Sequence, residues 1–264
     1  MSTVDGPFDA TGEVFCRRRK GGEWVSEVVW AQFRSRAGRP VERPVHQLSA
    51  ESLEERAGVW EPPRYRGRRA ITTWWRPADR AGHVGCATLG ALEAAISLEF
   101  DPQVTAFASW PVRLFRAGST DGYVPDFFAR LRDGQACLVV RRPSGGAATG
   151  DAWGRALKLV TAAGEQAGWQ VRVHGSDDAV VARNRQRLAR YRHTRMACPD
   201  TARVLRDVFA GPRPFDAGIQ ASGLPPMRTA ACGLHLIWRG ELLIDWSRPF
   251  TPGRSLVWTG PEAL

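Results

Sequence analysis

The sequence predicts a mixed α/β (α+β) fold, and three observations carry that prediction. Apolar residues recur at helical spacing over Thr88–Glu99 and again over Asp151–Ala167. Between these stretches lie short apolar or alternating runs bounded by Gly, Pro and Asp, which read as strands. The C-terminal part turns helical and closes on two short apolar strands. At 264 residues and 43% hydrophobic, the chain can bury one good core with smaller satellites.

Taken in order, residues 1–80 read as short strands and loops. "CRRRKGGEW" is a basic turn, "VSEVVWAQF" alternates like a strand, and "RYRGRRAITTWWRP" is a basic segment entering an apolar patch. A helix follows, with Leu89, Leu92 and Ile96 on its apolar stripe, Thr88 as N-cap and Asp101-Pro102 as its stop. "QVTAFASW" and "PVRLF" are two strands with a bend at Pro111. "YVPDFFARLRDGQACLVVRRP" is a hairpin turning at Arg132-Asp133-Gly134, since Asp-Gly supplies the positive φ that tight hairpins need. Gly145, Gly146 and Gly150 link it to the helix over Asp151–Ala167, and "WQVRVHG" is a further strand. The tail gives a basic helix "NRQRLARYRH", then "DTARVLRDVFA", "PFDAGIQASG" and "MRTAACGLHLIWRG", with "ELLIDW" and "SLVW" as strands. Helices followed by a two-stranded wing resemble a winged-helix module. The expected division is 1–80 as a strand and loop segment packing on the core, 81–176 as the core, and 177–264 as a winged-helix-like domain.

The charge points to a polyanionic partner. Lys and Arg total 37 against 27 Asp and Glu, a net charge of +10, and Lys20 and Lys158 are the only lysines. Arginine forks onto phosphates, so nucleic acid is the expected partner; a compositional bias toward arginine is the alternative. The cysteines, Cys16, Cys86, Cys137, Cys198 and Cys232, are scattered and form no CxxC pair. Structural zinc and a disulfide framework are therefore not expected. No apolar run reaches the roughly 18–20 residues of a membrane span. The start lacks a signal-peptide pattern, so a cytoplasmic, nucleoid-associated location is expected.

Cleavage of a phosphodiester by hydrated magnesium needs carboxylates converging from separate elements to hold the ion and activate water. A helix acid, a strand acid and a base on the adjacent strand have that layout; here they are Glu93, Asp126 and Arg142. Each has a plainer reading. Asp126 after Pro125 also suits a strand-end turn cap, Glu93 a solvated helix face, and Arg142 a solvated strand terminus.

The combination is more specific. "GCATLGALEAAISLEFDPQVTAFASWPVRL" and "GYVPDFFARLRDGQACLVVRRP" resemble TnsA-like endonuclease subunits of heteromeric transposases. The matching positions are Leu92-Glu93, Glu99-Phe100-Asp101-Pro102-Gln103-Val104, Trp110-Pro111-Val112, Pro125-Asp126-Phe127 and Val140-Arg141-Arg142. "AITTWWRPADRAGHVGCATLGALE", "RLARYRH", "GPRPF" and "LHLIWRGELLIDWSRPF" extend the resemblance over most of residues 60–260. It implies a restriction-endonuclease-like core and nicking of transposon 5′ ends in cut-and-paste DNA transposition. It also implies a TnsB-like DDE transposase and a TnsC-like AAA+ ATPase as partners. By the same resemblance Glu93 and Asp126 are ligands of Mg2+, for which Mn2+ substitutes, and Arg142 neutralises charge on the scissile phosphate.

Three positions depart from the family pattern. The third metal-site position is Val140, the strand Gln before Pro is Trp110, and the closing lysine is Arg142. Two side chains with the Arg141 carbonyl still suffice for one magnesium ion, which keeps several waters. Glu99 lies about 9 Å of helical rise from Glu93 and does not substitute; Glu165 on the later helix is the other candidate. Arg183, Arg187 and Arg190 share a helix face that suits a phosphate backbone, or a solvated surface. Three functions follow: a cleaving TnsA-like subunit, a catalytically degenerate DNA-binding or bridging subunit, and a restriction- or repair-type nuclease of the same fold.

Overall fold

The computed structural model describes residues 28–63, 66, 70–78, 82–119, 121–143, 151–175 and 178–260, with the backbone of two short strands, β1 (Cys16–Arg18) and β2 (Trp24–Ser26). The fold is α+β. Strands β3 (Val29–Arg34) and β4 (Pro40–Pro44) form a hairpin, as do β5 (Thr73–Trp75) and β6 (Val84–Cys86). Helix α1 (Leu89–Phe100) precedes β7 (Val104–Ser109), β8 (Val112–Arg116), β9 (Gly122–Tyr123), β10 (Phe127–Leu131) and β11 (Ala136–Arg141). Helix α2 (Asp151–Ala167) and β12 (Gln170–His174) follow. The chain ends with α3 (Ala179–Leu188), α4 (Pro199–Val208), β13 (Arg213–Pro214), α5 (Phe215–Ala221), α6 (Pro226–Trp238), β14 (Leu242–Ile244) and β15 (Leu256–Thr259). Among the described residues, no helix is long and apolar enough to cross a membrane.

Two compact units result: Met1–Arg69 with Gln103–Gly175, and Ala70–Pro102 with Ser176–Leu264. This grouping differs from boundaries drawn at 80 and 176, because α1 joins the C-terminal helices. Its Ile96, Leu92 and Phe100 belong to the same apolar cluster as Leu188, Leu236 and Trp238. The buried positions of α1 are Ala91, Ala94, Ala95, Ile96 and Leu98, whereas Leu89 is 53% exposed and leaves the stripe expected for it. Thr88 caps the helix as expected, its Oγ1 accepting the Ala91 N–H at 3.1 Å.

The first unit holds two four-stranded sheets, ordered β12-β11-β10-β7 and β4-β3-β8-β9. In the first of these, β7, β10 and β11 are antiparallel neighbours, while β12 returns through α2 to run parallel to β11. A helical crossover is what a parallel pair requires. The hairpin between β10 and β11 turns where the sequence predicts: Gly134 has φ 86° and donates its N–H to the Leu131 carbonyl, and Asp133 Oδ1 accepts the Gln135 N–H. Phe128, Leu138 and Val140 of one sheet share a core with Val29, Ala31, Val112 and Leu114 of the other, and with Val160 and Ala163 of α2. Gly164 lets α2 approach β12, since a Cβ there would stand 2.7 Å from the Val171 side chain and 2.8 Å from the Trp169 carbonyl.

The second unit packs α3, α4, α5 and α6 around Leu205, Phe209, Phe215, Leu236 and Ile237. A three-stranded antiparallel sheet, β13-β15-β14, completes it. The third strand, β13, is two residues long and gives no signal of its own in the sequence.

Candidate functional site

Asp126 stands immediately before β10, and its neighbours fix it there. Trp110, at the bend between β7 and β8, has φ 52°, a left-handed conformation that costs a non-glycine residue about 1–2 kcal/mol. Two hydrogen bonds hold it: its N–H donates to the Asp126 carbonyl at 3.2 Å, and its carbonyl accepts the Val59 N–H at 2.8 Å. The Trp110 ring is buried and meets Trp60 edge-on, with centroids 5.0 Å apart. At this bend the protein places an aromatic ring in packing and uses the backbone to position the acid.

The Asp126 carboxylate is 16% exposed and faces β11. Its Oδ2 accepts the Arg141 backbone N–H at 3.0 Å, and the Arg141 Nε lies 4.0 Å from Oδ1. That Nε is buried and makes no hydrogen bond among the described residues. Burial raises the Asp126 carboxyl above its ordinary value, and this outweighs the opposing pull of the Arg141 charge, the Arg141 N–H and His174. His174 is the register partner of Arg141 across the parallel β11–β12 pair. Burial and the Asp126 charge together hold the Tyr123 phenol well above the usual range, so it stays a protonated donor. A raised carboxyl beside a tyrosine, an arginine and a histidine makes Asp126 the candidate centre of the site.

The other predicted residues lie as follows. Arg142 is exposed, and its N–H donates to the His174 carbonyl at 3.0 Å; the guanidinium at ion-pair distance from Asp126 belongs to Arg141. Val140 is fully buried in the core of the first unit. Glu93 is exposed on α1, in the second unit, while Asp126, Arg141 and Arg142 are in the first. Glu165 is exposed on α2. Glu99 is occupied: it accepts from Trp75 Nε1 and the Ala78 N–H and pairs with Arg192 at 3.3 Å. Helix α3 ends at Leu188, so Arg190 lies beyond it in a 3-10 turn over Ala189–Tyr191. Arg183, Arg187 and Arg190 are exposed, although Arg187 Nη1 donates to the Phe250 carbonyl at 2.9 Å.

Arg141, His174 and Tyr123 are the members of the site that sequence reasoning did not single out as side chains. The Arg-Arg pair at the end of β11 held the only signal, because alternation alone assigns either arginine to the acid's face. Among the described residues, no three His, Cys, Asp or Glu side chains gather so as to hold a metal ion. Asp126 nevertheless meets the lower limit for magnesium, which takes one or two carboxylates with substrate phosphates. No protein-family model matches the chain, and no curated protein does.

Proposed function

We propose that this chain is a TnsA-like endonuclease subunit of a heteromeric transposase, acting at transposon ends in cut-and-paste DNA transposition. One observation carries the reading: just before β10, Asp126 presents a half-buried carboxylate with a raised pKa that faces the end of β11. Within the first unit, a sheet of three antiparallel strands extended by a parallel strand that returns through a helix supports a restriction-endonuclease-like core. Helices α4 to α6 with the β13-β15-β14 sheet support a winged-helix-like module. Magnesium, or manganese in its place, belongs to this proposal, with Asp126 as its ligand in the first unit. DNA is the substrate, and a TnsB-like transposase and a TnsC-like ATPase are the partners.

A second reading is favoured by Val140. Its side chain is buried in apolar surroundings and supplies no oxygen, which suits a subunit that binds or bridges DNA without cutting it. Nicking of labelled transposon-end duplex with Mg2+ or Mn2+, in the presence of both partners, separates the two. Wild type, Asp126→Asn and Glu93→Gln are compared. Strand-specific 5′ nicks that vanish in Asp126→Asn support the endonuclease. Duplex binding without nicks under either metal supports the bridging subunit. Nicks that ignore transposon ends point to a restriction- or repair-type nuclease, and absence of DNA binding sinks all three.

A further inference from the structure

A cavity of about 770 Å³ lies in the first unit, between β9, the residue after Arg142, and one side of α2. Among the described residues, Arg116, Arg155 and Lys158 line it against one acid, Asp121, so the described lining is net positive. Arg155 and Lys158 are exposed and three residues apart on α2, which puts their charges on neighbouring turns. Trp153 is half-buried, with its body packed against the core of the unit and the rest of it lining the cavity. Tyr123 lines the same cavity and feels the charge of Asp126. Cations that follow a phosphate backbone, beside an aromatic ring held in place by packing, are the elements of a single-strand site. The volume is in the range of small-ligand and cofactor pockets.

We propose that this cavity is a subsite for single-stranded DNA, with Arg155 and Lys158 on successive phosphates and Trp153 stacked on a base. Tyr123 of the cavity wall lies three residues before Asp126 in the chain, so the subsite adjoins the segment that leads to the acid. The subsite goes beyond the nuclease reading and needs neither cleavage nor partner proteins, so the two fail separately.

The test is fluorescence anisotropy of the full chain with labelled oligothymidylate of about fifteen nucleotides, with an abasic strand of equal length as comparison. The wild type is expected to bind the thymidylate about tenfold tighter than the abasic strand. The double variant Arg155→Gln/Lys158→Gln should weaken thymidylate binding about tenfold and reduce the salt slope by about 1.4, two phosphates at 0.7 each. Trp153→Leu should remove the preference for bases and Trp153→Phe should retain most of it, with melting curves confirming that each variant is folded. Equal affinity of the wild type for both strands would overturn the proposal, as would a folded double variant that binds thymidylate like wild type.

Discussion

Each unit of this protein holds a half-buried carboxylate beside an arginine, and the two are compensated to different extents. In the second unit, Glu99 accepts from Trp75 Nε1 and the Ala78 N–H and pairs with Arg192 at 3.3 Å. Arg192 is itself anchored, donating to the Ala189 and Arg76 carbonyls at 2.7 Å each and lying 4.0 Å from the centroid of the Trp75 ring. In the first unit, Asp126 receives the Arg141 N–H at 3.0 Å, while the guanidinium stays 4.0 Å away with its Nε unbonded. A buried ion pair is tolerable when its remaining hydrogen-bonding capacity is satisfied. Arg192 Nε, like Arg141 Nε, makes no hydrogen bond among the described residues. The Glu99 pair meets most of that condition, with two hydrogen bonds to the carboxylate and two from the guanidinium, and reads as architecture. The Asp126 pair meets it only in part, and a carboxylate kept at the cost of stability reads as function.

That contrast breaks most visibly if Glu99 is neutralised. Glu99→Gln leaves Arg192 buried without its anion and should lower unfolding free energy by about 3–5 kcal/mol in chemical denaturation. A loss under about 1 kcal/mol would make the two clusters equivalent. Val140→Glu comes next: a carboxylate in a fully buried core position should cost on the order of 3 kcal/mol. Added Mn2+ should restore part of the loss if the introduced carboxylate and Asp126 share an ion, as read by a concentration-dependent rise in melting temperature.

Asp126→Asn should have the opposite sign to Glu99→Gln. The folded carboxyl titrates above its unfolded value of 3.8, so between those two values the native state holds more protons than the unfolded state. The stability that proton provides is complete below 3.8 and is lost as pH rises through the folded value. At neutral pH the Asn variant should therefore be at least as stable as wild type, and its stability should fall less as pH rises from 3 toward neutral. A drop of about 2 kcal/mol instead would recast Asp126 as a structural anion. The smallest effect is expected from Arg142→Gln, within about 0.5 kcal/mol of wild type, because that side chain is exposed. A larger loss would return the role of Arg141 to its neighbour.

Much of the local structure was legible. The helix over Asp151–Ala167, the Thr88 cap, and the hairpin turning at Gly134 appear where composition and spacing place them. The alternation of "VSEVVWAQF" shows in β3, whose residues alternate between buried and half-buried. The candidate site was legible in one residue, Asp126, through its Pro-Asp entry to an apolar strand. Its surroundings were not. Which of Arg141 and Arg142 meets the acid depends on how β10 and β11 pair, and His174 enters only through the parallel return of β12. Trp110 could be seen as a departure, but not as a left-handed residue whose backbone holds Asp126.

By itself the sequence determined the elements, the turn chemistry, the basic charge and the acid that opens β10. These follow from contacts a few residues apart in the chain: caps, glycine at positive φ, and apolar periodicity. The tertiary structure decided that α1 joins the C-terminal helices, that Glu99 is consumed by Trp75, Ala78 and Arg192, and that Asp126 is half-buried opposite Arg141. Desolvation and Coulomb interaction depend on which distant residues are brought within a few ångströms and on how much water is excluded, and no local pattern encodes either.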